Sequence, residues 1–206
     1  KPKTIYDFYG FPRELYQKTY PCPGAPEEAR AVTHLAKKSV IQCRSDWGLD
    51  HGAWSVLSHL FPNADIPVFQ LSLDYTFNDW HPKPLEYHYD LARQLADLRS
   101  QGILIIGSGN IVHNLGILDV ENIDAEPYDW AREFDEEIKA GLTSGDDKNL
   151  IRLGSAGRNT GLAVPTPDHY LPMIYTVALR EQAEPLSFTF EGFQHASISM
   201  RCFQIG

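Results

Sequence analysis

The sequence predicts an α/β fold: a single domain over residues 1–206, with a central, mostly parallel or mixed sheet flanked by helices. Three observations predict it. Segments with apolar residues at helical spacing alternate with short apolar runs, the pattern of strands covered by helices. Ile103, Leu104, Ile105 and Ile106 form an uninterrupted, β-branched-rich run, as expected of a strand buried on both faces. Hydrophobic residues make up 43% of the 206 positions, enough for a real core, and no internal repeat or long linker divides them.

Each element follows from its residues. The aromatic, Pro- and Gly-rich stretch 6–26 reads as a structured loop with one helical turn near 13–18. Pro26-Glu27-Glu28-Ala29 opens a helix, with Pro near N1 and acids in the first turn. That helix carries Val32, Leu35 and Ala36 inward and His34 on its surface. Residues 40–43 read as a short strand. Asp50 is a good N-cap, and Trp54, Leu57, Leu60 and Phe61 recur at helical spacing after it. His51 therefore falls in a first helical turn, where the dipole disfavours imidazolium and welcomes an anion. Such a ring either faces an anionic ligand or simply bonds a nearby loop. His59, on the same helix, has no partner pattern.

Residues 66–73 alternate as a strand does. The polar, Pro-broken connection 79–84 carries a solvent-facing His81. Residues 85–99 form an amphipathic helix with Leu85, Tyr89, Ala92, Leu95 and Leu98 on one face and a His88 of no functional pattern. Gly102 stops it. After the apolar run comes Gly107-Ser108-Gly109-Asn110, where the backbone must turn sharply or let something approach closely. Ligands of open α/β sheets sit at the carboxyl ends of strands, which makes His113 a candidate site residue. The alternative is an ordinary turn with a hydrogen-bonded loop histidine. This is no dinucleotide fingerprint, because Val112 stands where the third Gly belongs.

The acidic stretch 119–129 reads as a loop. Residues 130–142 form a helix burying Trp130, Phe134, Ile138 and Leu142, with Glu133, Asp135, Glu136 and Glu137 as a solvated face. Residues 144–149 read as a turn, 150–153 as an apolar run and 154–161 as a loose Gly-rich loop. Thr166 as N-cap with Pro167 at N1 starts a helix whose first turn holds Asp168 and His169. Pro172 removes a backbone donor there, so that turn is distorted or separate from the stripe Met173, Ile174, Val177 and Ala178. Two strand-like runs, 186–190 and 197–205, close the chain, joined through Glu191-Gly192 with His195 near the joint.

The bulk properties narrow the partners. A net charge of −9 makes nucleic acid and anionic membrane poor candidates. There is no signal-peptide pattern and no apolar run of about 18 residues, so no transmembrane helix is expected. Cys22, Cys43 and Cys202 are odd in number, widely spaced and without CxxC. That points to a reducing compartment, the cytoplasm, and away from a structural zinc site.

Five motifs stand in order: Tyr6-Asp7-Phe8-Tyr9-Gly10-Phe11-Pro12, Gly48-Leu49-Asp50-His51-Gly52-Ala53-Trp54, Ala64-Asp65-Ile66-Pro67, Gly109-Asn110-Ile111-Val112-His113-Asn114-Leu115 and Pro165-Thr166-Pro167-Asp168-His169-Tyr170-Leu171-Pro172. Together they closely resemble the class III extradiol ring-cleavage dioxygenases, and among these the 4,5-DOPA extradiol dioxygenase branch. The resemblance runs from Tyr6 to Gly206. It implies a non-haem Fe(II) site in an α/β domain that opens a catechol beside its two hydroxyls with O2, to a muconic semialdehyde-type product. Zn(II) suits the same imidazoles. It also implies an upstream segment of roughly fifty residues, with two strands and two further metal histidines, that this chain lacks by family analogy.

Carried over residue by residue, the resemblance makes His169 a metal ligand, with Asp168 beside it as the fallback carboxylate. It makes His113 either a metal ligand or the acid–base group, and His51 a catalytic pocket histidine. Tyr9, Phe11, Tyr20 and Tyr170 are candidates to shape the pocket. The expected partners are a small catechol and O2; the oligomeric state is left open. A non-catalytic metal-binding relative and a zinc-dependent hydrolase are the rival readings.

Overall fold

A computed structural model describes residues 1–75, 83–153 and 159–206. They form two compact units, Lys1–Ser72 and Leu73–Gly206. The expected His81, most of the 79–84 connection and most of the 154–161 loop lie outside the described residues.

In the first unit a 3-10 turn over Arg13–Gln17 precedes helices α1 (Pro26–Leu35) and α2 (His51–Leu60). The side chain of Asp50 accepts from the Ala53 backbone, as its capping position predicts. Gln70 adds to this cap, donating to Asp50 Oδ2 at 2.6 Å and accepting from the Asp50 backbone N–H at 3.0 Å. The core gathers Tyr20, Cys22, Leu49, Trp54 and Leu57, with Tyr6, Phe8 and Phe61 packed against it. Trp54 and Tyr20 bring polar tips inside, and each finds a carbonyl: Ile5 for the indole, Phe61 for the phenol. Among the described residues, 40–43 make no ladder, and the expected strand 66–73 shows a single parallel bridge, Val68 to Gly24.

The second unit holds α3 (Leu85–Gln94), α4 (Asp97–Ser100), α5 (Asp129–Ser144), α6 (Asp147–Ile151), α7 (Thr160–Ala163) and α8 (Leu171–Ala178). The expected helix 85–99 is thus two helices. Its buried face carries His88 and Leu91 as well as Ala92, Leu95 and Leu98, so His88 is a core residue. Gly102 takes a φ of 78°, the left-handed stop its position predicts. The turn read at 144–149 is shorter, because α6 begins at Asp147 with Asp146 as its N-cap. Pro167–His169 forms a separate 3-10 turn before α8, as Pro172 requires.

Strands β1 (Leu186–Phe190) and β4 (Cys202–Ile205) pair antiparallel with a bulge near Phe188. A smaller pair, β2 (Phe193–Gln194) and β3 (Ile198–Ser199), interrupts the second predicted run. The core runs through Ile111, Val112, Phe134, Ile138, Leu142, Leu150, Tyr170, Ile174 and Val177.

Two expectations change here. Residues 103–106 are extended but have no ladder partner among the described residues, and Leu104 is 69% and Ile106 41% exposed. A run with no strand beside it cannot bury both faces. Asp135 is not solvated: it lies next to Phe134 and three residues before Ile138, on the inward face of α5, and is 1% exposed. There it pairs with the buried Arg201 guanidinium and accepts from Ser199 Oγ at 2.6 Å. Glu136 and Glu191 complete the shell of Arg201, whose guanidinium also lies over the Phe188 ring.

Candidate active site

The site in the second unit is built from three segments. Residues 110–114 run beside β3: His113 bridges Ile198, Ser199 N–H donates to the Val112 carbonyl at 3.0 Å, and the His113 N–H donates to Ala163 at 2.9 Å. The 3-10 turn supplies Asp168 and His169. Asn110 ties all three together. Its backbone N–H donates to the His169 carbonyl at 2.9 Å, and its side-chain amide donates to the Ser199 carbonyl at 2.8 Å.

The two glycines explain the tightness of this junction. Neither has positive φ, so sharp turning is not their purpose. A Cβ on Gly109 would stand 2.2 Å from the His169 carbonyl oxygen, and one on Gly107 would stand 2.5 Å from that of Pro172. Of the two uses expected for them, close approach is the one found.

The result is a stack of imidazoles. The rings of His113 and His169 lie 3.5 Å apart, centroid to centroid, with planes 13° from parallel. Burial and then the neighbouring His169 push the His113 ring down to about 4, while Asp168 pulls the other way. His113 is therefore neutral near pH 7, with a lone pair to offer. Asp168 Oδ2 lies 3.7 Å from His169 Nε2, and Asp168 Oδ1 is buried with no hydrogen-bond partner among the described residues. An orphaned carboxylate oxygen beside two imidazoles has the chemistry of a site for a divalent transition metal. Among the described residues, no group of three or more His, Cys, Asp or Glu side chains is gathered to hold an ion.

His51 belongs to the first unit. Its ring Nδ1 lies 2.8 Å from Asp7 Oδ1, and its backbone N–H donates to the same oxygen at 3.0 Å. The Phe8 ring meets the imidazole edge to face at 5.6 Å. Burial works against it, but these bonds from His51 hold the Asp7 carboxyl below its usual range.

The remaining candidates have other roles. His195 Nδ1 bonds the Asp119 carbonyl at 2.8 Å and fixes the 119–123 loop from a left-handed backbone. His34 bonds its own helix at Arg30. His88 reaches the Tyr175 hydroxyl through Nδ1. Tyr170 and Tyr20 are core residues, with hydroxyls on the Leu150 and Phe61 carbonyls, so neither is free to shape a pocket. Tyr9 and Phe11 are exposed. Sequence reasoning missed Asp7, Asn110 and Tyr75; the Tyr75 phenol is raised by burial and by the Asp168 carboxylate. Asn110 carried the one usable signal, a polar residue directly after two glycines.

Comparison with known proteins agrees with this chemistry. The family described as the catalytic LigB subunit of aromatic ring-opening dioxygenase matches residues 1–199. The 4,5-DOPA dioxygenase extradiol of Escherichia coli (strain K12) is 42% identical over 208 residues, covering 100% of this chain and 74% of that protein. That of Beta vulgaris is 38% identical over 173 residues, covering 82% of this chain and 62% of that protein. The crystal structure of an uncharacterized protein from Escherichia coli K12 superposes with a TM-score of 0.82 at 36% identity, over 100% of this chain and 81% of that one.

Proposed function

Since this chain belongs to the LigB family of aromatic ring-opening dioxygenases, we propose that it works as an extradiol dioxygenase, cleaving the ring of a DOPA-like catechol with O2 to a muconic semialdehyde-type product. The observation that carries this reading is the His113–His169 stack with the buried, unpaired Asp168 oxygen beside it.

In this reading His169 holds the metal, with Asp168 as the adjacent carboxylate and two further histidines completing the shell, and His113 is either a further ligand or the acid–base group. Fe(II) is the proposed ion and Zn(II) the alternative; bound iron supplies the open positions that bring both catechol oxygens and O2 together. As the acid–base group, His113, neutral at pH 7, is the proposed base for the second phenolic proton. A ring with a pKa near 4 is a weak base, and negative charge arriving with the substrate strengthens it in the same sense as Asp168 already does. His51 is the proposed pocket histidine, hydrogen-bonding the reacting oxygen through its ring.

The central sheet belongs to the same proposal. The exposed Leu104 and Ile106 support a strand at 103–106 whose neighbours lie outside the described residues. A cytoplasmic setting is proposed from the three free cysteines. No helix among the described residues is long and apolar enough to cross a membrane.

The test is anaerobic reconstitution of the full-length protein with Fe(II), then addition of DOPA or caffeate in air. A dioxygenase consumes O2 and yields a yellow semialdehyde. No O2 uptake would leave the non-catalytic relative, and hydrolysis without O2 would establish the zinc hydrolase instead.

A further inference from the structure

We propose that Asp7 is a positioning residue for His51, fixing the ring as the Nδ1–H tautomer so that Nε2 is the atom that takes or gives a proton. The inference rests on the proposed role of His51 in the reaction. Its geometry lies wholly within the first unit.

The assignment follows from donor and acceptor accounting. Asp7 Oδ1 receives two contacts from one residue, the His51 backbone N–H at 3.0 Å and ring Nδ1 at 2.8 Å. An ionised carboxylate only accepts, so Nδ1 must carry the hydrogen. The low carboxyl range of Asp7 agrees with its being ionised. Ring Nε2 has no hydrogen-bond partner among the described residues, and the side chain is 46% exposed. Phe8, next to Asp7 in the chain, packs edge to face on the imidazole and restricts its rotation.

The same oxygen settles a conflict at the start of α2. Asp50 caps the Ala53 N–H and leaves the His51 N–H to find a partner. Asp7 provides it, placing a negative charge where the helix dipole favours one. This is how carboxylates orient functional histidines elsewhere, through the nitrogen that does no chemistry.

The experiment is two-bond 1H–15N NMR of the histidine rings in the full-length protein, with the His51 signals identified by their loss in His51→Gln. The wild type should show a protonated Nδ1 and an unprotonated Nε2 at neutral pH. In Asp7→Ala the Nε2–H tautomer, the form favoured by free imidazole side chains, should become the major species. Asp7→Asn, which keeps the shape, guards against loss of fold and should show a partial shift. An Nε2–H ring in the wild type, or equal tautomer populations in wild type and Asp7→Ala, overturns the proposal. Catechol turnover separates it from the reading beneath it. A fall of about tenfold in kcat with little change in KM is expected for Asp7→Asn, within the range of acid–base effects. A tautomer shift with unchanged turnover upholds the positioning role and removes His51 from the reaction.

Discussion

His113 and His169 face each other yet are expected to fail in different ways. His113→Ala should lower turnover by ~10²–10⁴-fold, the usual worth of acid–base help. On the proposed reading the metal content should partly survive, since the other proposed ligands remain. His169→Ala should lose the metal. Steady-state O2 uptake paired with metal analysis of each variant checks both. A loss below threefold for His113→Ala at full occupancy removes it as the base, and full metal occupancy in His169→Ala refutes the ligand assignment. What makes the pair legible in sequence is local: each histidine follows a glycine or proline pattern that sets its backbone. What made Asp7 illegible is distance, since it meets His51 across 44 positions without any periodicity to mark it.

Among elements, the contact of residues 107–110 with the turn before α8 depends on two bare α-carbons. Gly109→Ala would drive a methyl group into the His169 carbonyl and break the bond that oxygen accepts from Asn110. The expected cost is ~1–3 kcal/mol, typical of overpacking, read as a lowered Tm. The His113–His169 stack should loosen with it, visible as a change in the ring-proton shifts. An unchanged Tm would show that the turn moves away freely. The element boundaries set by short-range rules were the readable ones: the Asp50 cap, the Gly102 stop and the break at Pro172. The misread ones depended on partners remote in the chain. Asp135 looked like one acid among several, because Arg201, 66 positions away, gives no local sign of its arrival.

For the whole molecule, acid sensitivity can be traced to a named pair. Arg99, in α4, donates to both oxygens of Glu184, one of them at 2.7 Å. These bonds, with one from the Glu181 backbone, hold the Glu184 carboxyl down to about 2 from an ordinary 4.5. The folded state therefore binds the proton less readily than the unfolded one. The contribution is fully present above pH 4.5 and is lost as pH falls toward 2. Glu184→Gln should be less stable than the wild type at pH 7, and the difference should shrink on acidification, as chemical denaturation at several pH values would show. A difference independent of pH would refute the linkage. The helical scaffold was largely legible from periodicity, while the sheet was not. Strands read from single apolar runs need neighbours, and 103–106 has none among the described residues.

The Arg201 cluster has a consequence for tolerance to mutation. One cation answers to three acids, so the arrangement is redundant on one side only. Glu136 and Glu191 sit at its margin, and Glu191 also pairs with Lys139, whereas among the described residues only the guanidinium reaches Asp135. A lysine there would supply charge without the planar fork that engages Asp135 through two nitrogens. Through Ser199, that fork also reaches the segment carrying His113. Drift in this protein is thus cheap at the outer acids and costly at the single arginine.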